Sequence, residues 1–107
     1  MTHAVFERKN GTLCGFTISG HTGFAEAGED IVCAAVSSAV QFTTILITES
    51  FHEQAEEEAE DDGAVITVRL KTPDQGQGSR ILEGLWQHLN FLSEDYPGTI
   101  TIKFLEV

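Results

Sequence analysis

A chain of 107 residues with a formal net charge of −11 and only six lysines and arginines lacks the basic cluster that a phosphate backbone requires, so nucleic acid is not expected as a direct partner. Apolar residues make up 41% and are spread along the whole length, which excludes disorder. One domain, residues 1–107, of this size buries roughly two-thirds of its unfolded surface without help from disulfides or metal.

No run of about 18 apolar residues marks a membrane span. The start, Met1 to Lys9, has no charged segment followed by an apolar one, so no signal peptide is read and a cytoplasmic location is expected. A structural disulfide between Cys14 and Cys33 is then improbable. The cysteines form no Cys-x-x-Cys pair and His3, His21, His52 and His88 are scattered, so no ligand spacing supports a zinc site and no cofactor is implied.

The first two predicted elements are strands, over 2–8 and 12–19. Asn10-Gly11 between them is the pair that a type I′ hairpin turn favours, because both of its central residues take positive φ. Cys14, two residues before Phe16, reads as core filler. A loop follows from Gly20 to Glu29, with glycines at 20, 23 and 28.

From Ile31 to about Ser50 the spacing predicts a helix. Val32, Ala35, Val36, Ala39, Thr43, Leu46 and Ile47 form one stripe, and Ile31, Val40, Phe42 and Ile45 add apolar character elsewhere. Such a helix is expected to be buried on most sides, against a sheet and against a second helix or a partner subunit.

Residues 51–62, rich in glutamate, could extend the helix or form a solvated loop. An edge strand turning at Asp62-Gly63 is preferred, since charge on an edge discourages sheet-to-sheet aggregation. Ala64–Lys71 reads as a strand ended by Thr72-Pro73-Asp74. A second helix is expected from Asp74 or Ser79 to Glu94, with Ile81, Leu82, Leu85, Trp86, Leu89 and Leu92 inward. Tyr96-Pro97-Gly98 stops it, and Thr99–Leu105 alternates as a final strand. The order ββαββαβ implies an α+β fold, with two helices on one face of a mostly antiparallel sheet.

The chemistry-bearing residues cluster in the loop and the helix start. Cysteine attacks as its thiolate, and an anion is favoured by first-turn N–H groups at the positive end of a helix dipole. With Asp30 as N-cap, Cys33 becomes the third helical residue. His21 precedes it by 12 residues, across a glycine-rich loop that can bring imidazole and thiol together. Each residue also has an ordinary use. Cys33 fits as a small buried hydrophobe, and His21 as a loop histidine bonded to backbone. Asp30 caps the helix whatever else it does. The hydroxyl of Ser37, one turn on from Cys33, can bond the Cys33 carbonyl, and Gly20, Gly23 and Gly28 permit tight turns.

The run Gly20-His21-Thr22-Gly23-Phe24-Ala25-Glu26-Ala27-Gly28-Glu29-Asp30-Ile31-Val32-Cys33-Ala34-Ala35-Val36-Ser37 closely resembles the signature of the ribosomal-processing cysteine proteases, the Prp family. Thr22 and Phe24 stand where alanine and tyrosine are common. The resemblance implies a catalytic pair of Cys33 and His21, supporting roles for Asp30 and Ser37, and a mobile substrate loop carrying Gly20, Gly23 and Gly28. It also implies a bacterial, cytosolic homodimer. Its substrate would be a ribosomal protein of the large subunit, with an N-terminal extension removed after an aromatic residue. A basic substrate of that kind gives the −11 charge a use in steering the encounter.

Two other functions fit the residues. One is a ribosome-assembly factor that binds without cutting, against which the intact His21 and Cys33 speak. The other is a thiol redox sensor at Cys33, for which Cys14 is the available resolving cysteine.

Overall fold

The computed structural model describes residues 1–20, 29–60 and 64–107, with Glu29 and Asp30 described by their backbone alone. Strands β1 (Thr2–Lys9) and β2 (Thr12–Ser19) are joined by Asn10-Gly11, at φ of 52° and 79°. Those are the positive angles a type I′ turn demands. Helix α1 (Glu29–Ile45) runs on into a single π-helical turn, Leu46–Ser50. Strands β3 (Ala55–Glu60) and β4 (Val65–Leu70), helix α2 (Gly78–Asp95) and strand β5 (Ile100–Glu106) complete the order ββαββαβ. The expected turn at Asp62-Gly63 lies outside the described residues.

The five strands form one sheet in the order β3-β4-β2-β1-β5. Every pairing is antiparallel except that of β1 with β5. The fold is therefore α+β with a mostly antiparallel sheet. Alternation sends Ala4, Phe6, Phe16, Ile18 and Val68 to one face, where they join Val32, Val36 and Val40 of α1, Ile47 of the π turn, and Leu82, Leu85 and Leu89 of α2 in one buried core. Phe6 and Phe16 face each other in register, their rings 6.2 Å apart.

The opposite sheet face is polar. Thr17 bonds Thr67 at 3.1 Å, His3 bonds Thr101 at 2.7 Å, and Glu7 meets Arg69. The register of β1 with β2 slips between Glu7 and Arg8, so that Gly15 pairs with Glu7 and Leu13 with Arg8. Cys14 is the extra residue of this bulge. It is half-buried and its Sγ donates to the Glu7 carbonyl at 3.4 Å. The expectation that Cys14 fills the core is corrected: the bulge hands the inward position to Leu13.

Helix α1 lies against the sheet and against α2, as expected. Its Val32, Val36 and Val40 are buried, as is Ile47 in the π turn that continues it, but Ile31, Phe42 and Ile45 are 61%, 63% and 52% exposed in the single chain. The sheet and α2 cover only one side of the helix, and among the described residues nothing covers its crest. By length and composition Ile31–Ser50 is apolar enough to cross a membrane, although no unbroken apolar run marks it. Its inward stripe is instead spent on the core of the sheet.

Near its end α1 widens. Thr43, Thr44 and Thr48 each donate a hydroxyl to the carbonyl four residues back, a bond that bends helices. The Phe51 N–H then reaches the Leu46 carbonyl at 2.9 Å, the five-residue step of a π turn.

Candidate active site

Cys33 lies one turn into α1, on the side that meets the sheet's end. It is half-buried, beside Val32 of the core. Met1 and Thr2 from the start of β1, and Thr99 just ahead of β5, join Val32 and Cys33 around a hollow of about 10 Å³. The parallel pairing of β1 with β5 creates this neighbourhood, since it sets Thr2 opposite Ile100. The Thr2 N–H donates to the Thr99 carbonyl at 2.9 Å and Thr2 is buried, so this floor is fixed.

The chain leaves β2 at the same place. Gly20 sits at φ 90°, and a Cβ there would fall on the carbonyl oxygen of Met1. Only glycine accepts both the angle and the contact. Met1 thus touches the start of the glycine-rich loop on one side and lines the Cys33 hollow on the other. His21 is the next residue. It lies outside the described residues, as do Gly23, Gly28 and the side chain of Asp30.

The backbone of α1 is already helical at Glu29. Asp30 thus stands at the very start of α1, and Cys33 follows it by three residues, within the opening turns of the helix. An acidic residue in the first turn complements the helix dipole. Ser37 follows one turn beyond Cys33 and is half-buried.

Cys14 is not part of this site. It adjoins Glu7, five residues along β1 from Thr2, a separation of roughly 16 Å at the rise of a strand. A disulfide needs Cα atoms within about 7 Å, so Cys14 cannot resolve an oxidised Cys33 without unfolding the sheet. Burial first, and then the Glu7 carboxylate, push the Cys14 thiol above its ordinary pKa. Its thiolate is thus disfavoured. Among the described residues no three His, Cys, Asp or Glu side chains converge as metal ligands.

The larger concavities flank α1 farther along. A cleft of about 700 Å³ separates α1 from α2, with Ala35, Ala39, Phe42, Leu46, Ile81 and Leu85 among its walls. A second, of about 470 Å³, lies between α1 and the β3–β4 edge. Neither contains Cys33, so volume alone would point away from the thiol. Sequence reasoning missed Thr2 and Thr99 as neighbours of Cys33. Their only signal is position, one at each start of two strands that pair in parallel.

This architecture has close counterparts. The Prp protease from S. aureus, described as an essential ribosomal processing protease, has been solved with a substrate peptide and with a covalently linked product peptide. The first superposes with a TM-score of 0.91 at 21% identity, over 98% of this chain and 100% of that one. The second gives 0.87 at 22% identity over the same shares. SMU.848 from Streptococcus mutans gives 0.79 at 25% identity, over 100% of this chain and 99% of that one. A comparison with curated proteins finds no match. The sequence profile described as cysteine protease Prp matches residues 1–101. With a helix-borne cysteine at the sheet's end and a match over nearly the whole chain, the protein belongs to the Prp family of cysteine proteases.

Proposed function

We propose that this cysteine protease processes a ribosomal protein of the large subunit, removing an N-terminal extension by a cut after an aromatic residue. The observation that carries the reading is the meeting of Cys33 and Gly20 at Met1. It sets the thiol beside the point from which His21 departs. In this reading the Cys33 thiolate attacks the scissile carbonyl carbon. The C–N bond breaks as His21, holding the proton, delivers it to the leaving amine. His21 then takes a proton from water, which hydrolyses the thioester and frees the carboxylate product. Backbone N–H groups near Cys33 or in the Gly20–Gly28 loop would hold the oxyanion.

Asp30 and Ser37 support the pair, and the loop bearing Gly20, Gly23 and Gly28 closes on bound peptide. The S. aureus structures with peptides support the substrate class for this chain. The exposed crest of α1, Ile31, Ala34 and Phe42, supports a homodimer, because contiguous exposed apolar residues mark interaction surfaces. A cytoplasmic location accompanies this substrate.

The test is cleavage of a peptide that spans an extension with an aromatic residue at the cut, by wild type, Cys33→Ala and His21→Ala. Cleavage by wild type alone is expected. Retained binding without cleavage by any of the three would favour the assembly-factor reading instead.

A further inference from the structure

The free edge of the sheet at β3 is unusual in what it leaves open. Its residues facing the helices are Ala55, Glu57 and Ala59, opposite Leu70, Val68 and Ile66 of β4. Two alanines cannot reach α1. The groove of about 470 Å³ between α1 and this edge is therefore floored by Val40, Ile45, Ala59, Ile66 and Val68 and rimmed by Glu57 and Glu58. Beyond β3 the sheet ends, so one side of its backbone has no strand to pair with among the described residues.

We propose that this edge and groove dock an extended basic segment of the substrate protein, away from the scissile bond. Apolar side chains of that segment would enter the groove, its lysines or arginines would meet Glu57 and Glu58, and its backbone would add to β3. The inference rests on the processing function above, since proteins that bind ribosomal RNA carry the basic residues that phosphate requires. Charge selects this occupant over a second copy of the chain. Pairing β3 with another β3 would set Glu56, Glu57, Glu58 and Glu60 against the same glutamates, and like charges facing each other across strands destabilise the pair. Arg69 on β4 lies opposite Glu56 but is already engaged by Glu7, which leaves the β3 carboxylates for an incoming cation. Edge protection alone explains the charge, but it does not explain an apolar groove left unfilled beside it.

Two readouts separate this surface from the chemistry. Cleavage of the short peptide above reports the chemistry of Cys33 and His21, and should be the same for wild type and Glu57→Gln/Glu58→Gln. Binding is followed on isotope-labelled Cys33→Ala protein by amide shifts, with an extended peptide of alternating lysine and valine as probe. Shifts are expected along Ala55–Glu60 and at Thr44 and Ile45. The double glutamine variant should weaken the probe about fivefold, as two exposed ion pairs would, and added salt should weaken it further. Glutamine keeps the size of glutamate, so the fold is not at risk. Shifts confined to other surfaces, or equal binding by the double variant, would overturn the proposal even if the peptide is cleaved. Movement of the β3 signals with protein concentration alone would do the same, by assigning the edge to a second copy.

Discussion

Arg69 on β4 reaches across β2 to hold Glu7 on β1, with Nε 3.0 Å from one carboxylate oxygen and Nη2 3.2 Å from the other. The intervening residue is Gly15, where a Cβ would lie 2.8 Å from the Val68 carbonyl and 3.1 Å from both Glu7 and Arg69. The absence of a side chain lets the ion pair span three strands. The neighbouring bulge residue, Cys14, feels the same carboxylate.

That contact sets a pH prediction. Burial and the Glu7 charge raise the Cys14 pKa, so the folded protein keeps this proton to higher pH than the unfolded chain does. Between the unfolded and folded pKa values the native state binds more protons, and stability falls as pH rises. Alkylation of folded Cys33→Ala protein, in which Cys14 is the remaining thiol, should have its midpoint above that of the unfolded protein. Glu7→Gln should lower it. A midpoint in Glu7→Gln equal to or above the parent's would contradict the assigned cause.

Helix α2 is capped from a distance. The Glu53 carboxylate accepts the Gln77 N–H at 3.1 Å, while Gln77 makes no capping bond with its own side chain. Glycines at 76 and 78 leave room for that carboxylate. Glu53→Ala should cost about 1 kcal/mol, the worth of a cap. Urea unfolding would show it as a lower midpoint at unchanged slope.

Gly20→Ala tests the joint between β2 and the loop. The substitution forces a Cβ onto the Met1 carbonyl at a positive φ, a strain on the order of 1–3 kcal/mol. Peptide cleavage should fall at least tenfold while far-ultraviolet dichroism is retained. Full activity with an unchanged melting temperature would show that the loop's point of departure does not matter.

The crest of α1 should hold the dimer. Phe42→Glu places a charge on a residue that is 63% exposed in the single chain, so the monomer fold should survive. Sedimentation equilibrium should shift from dimer to monomer. If the variant and wild type sediment alike, the crest is not the interface.

Much of this was legible in the residues. The turn at Asn10-Gly11, the alternation in β1, β2 and β5, and the inward stripes of both helices follow from local periodicity. The acidic edge strand β3 was read from its charge rather than from periodicity, and it occupies Ala55–Glu60 within the expected 51–62. The bulge at Cys14 was not legible, because its cause is the register against β1, set by contacts elsewhere. The π turn after Ile45 and the Glu53 cap on α2 are tertiary for the same reason. At the site, Cys33 and Gly20 were read from their spacing and signature. Thr2 and Thr99 come to Cys33 only through the parallel pairing of β1 and β5, which alternation cannot announce.

The central claim is that Cys33 forms a thioester with the amino-terminal product. Acid-quenched wild-type protein, mixed with the extension peptide and digested, can be read by mass spectrometry for an acyl adduct. The account predicts the extension, joined through its aromatic carboxyl carbon, on the peptide containing Cys33 and absent from Cys33→Ala. An adduct on Cys14, or undiminished cleavage by Cys33→Ala, would contradict it.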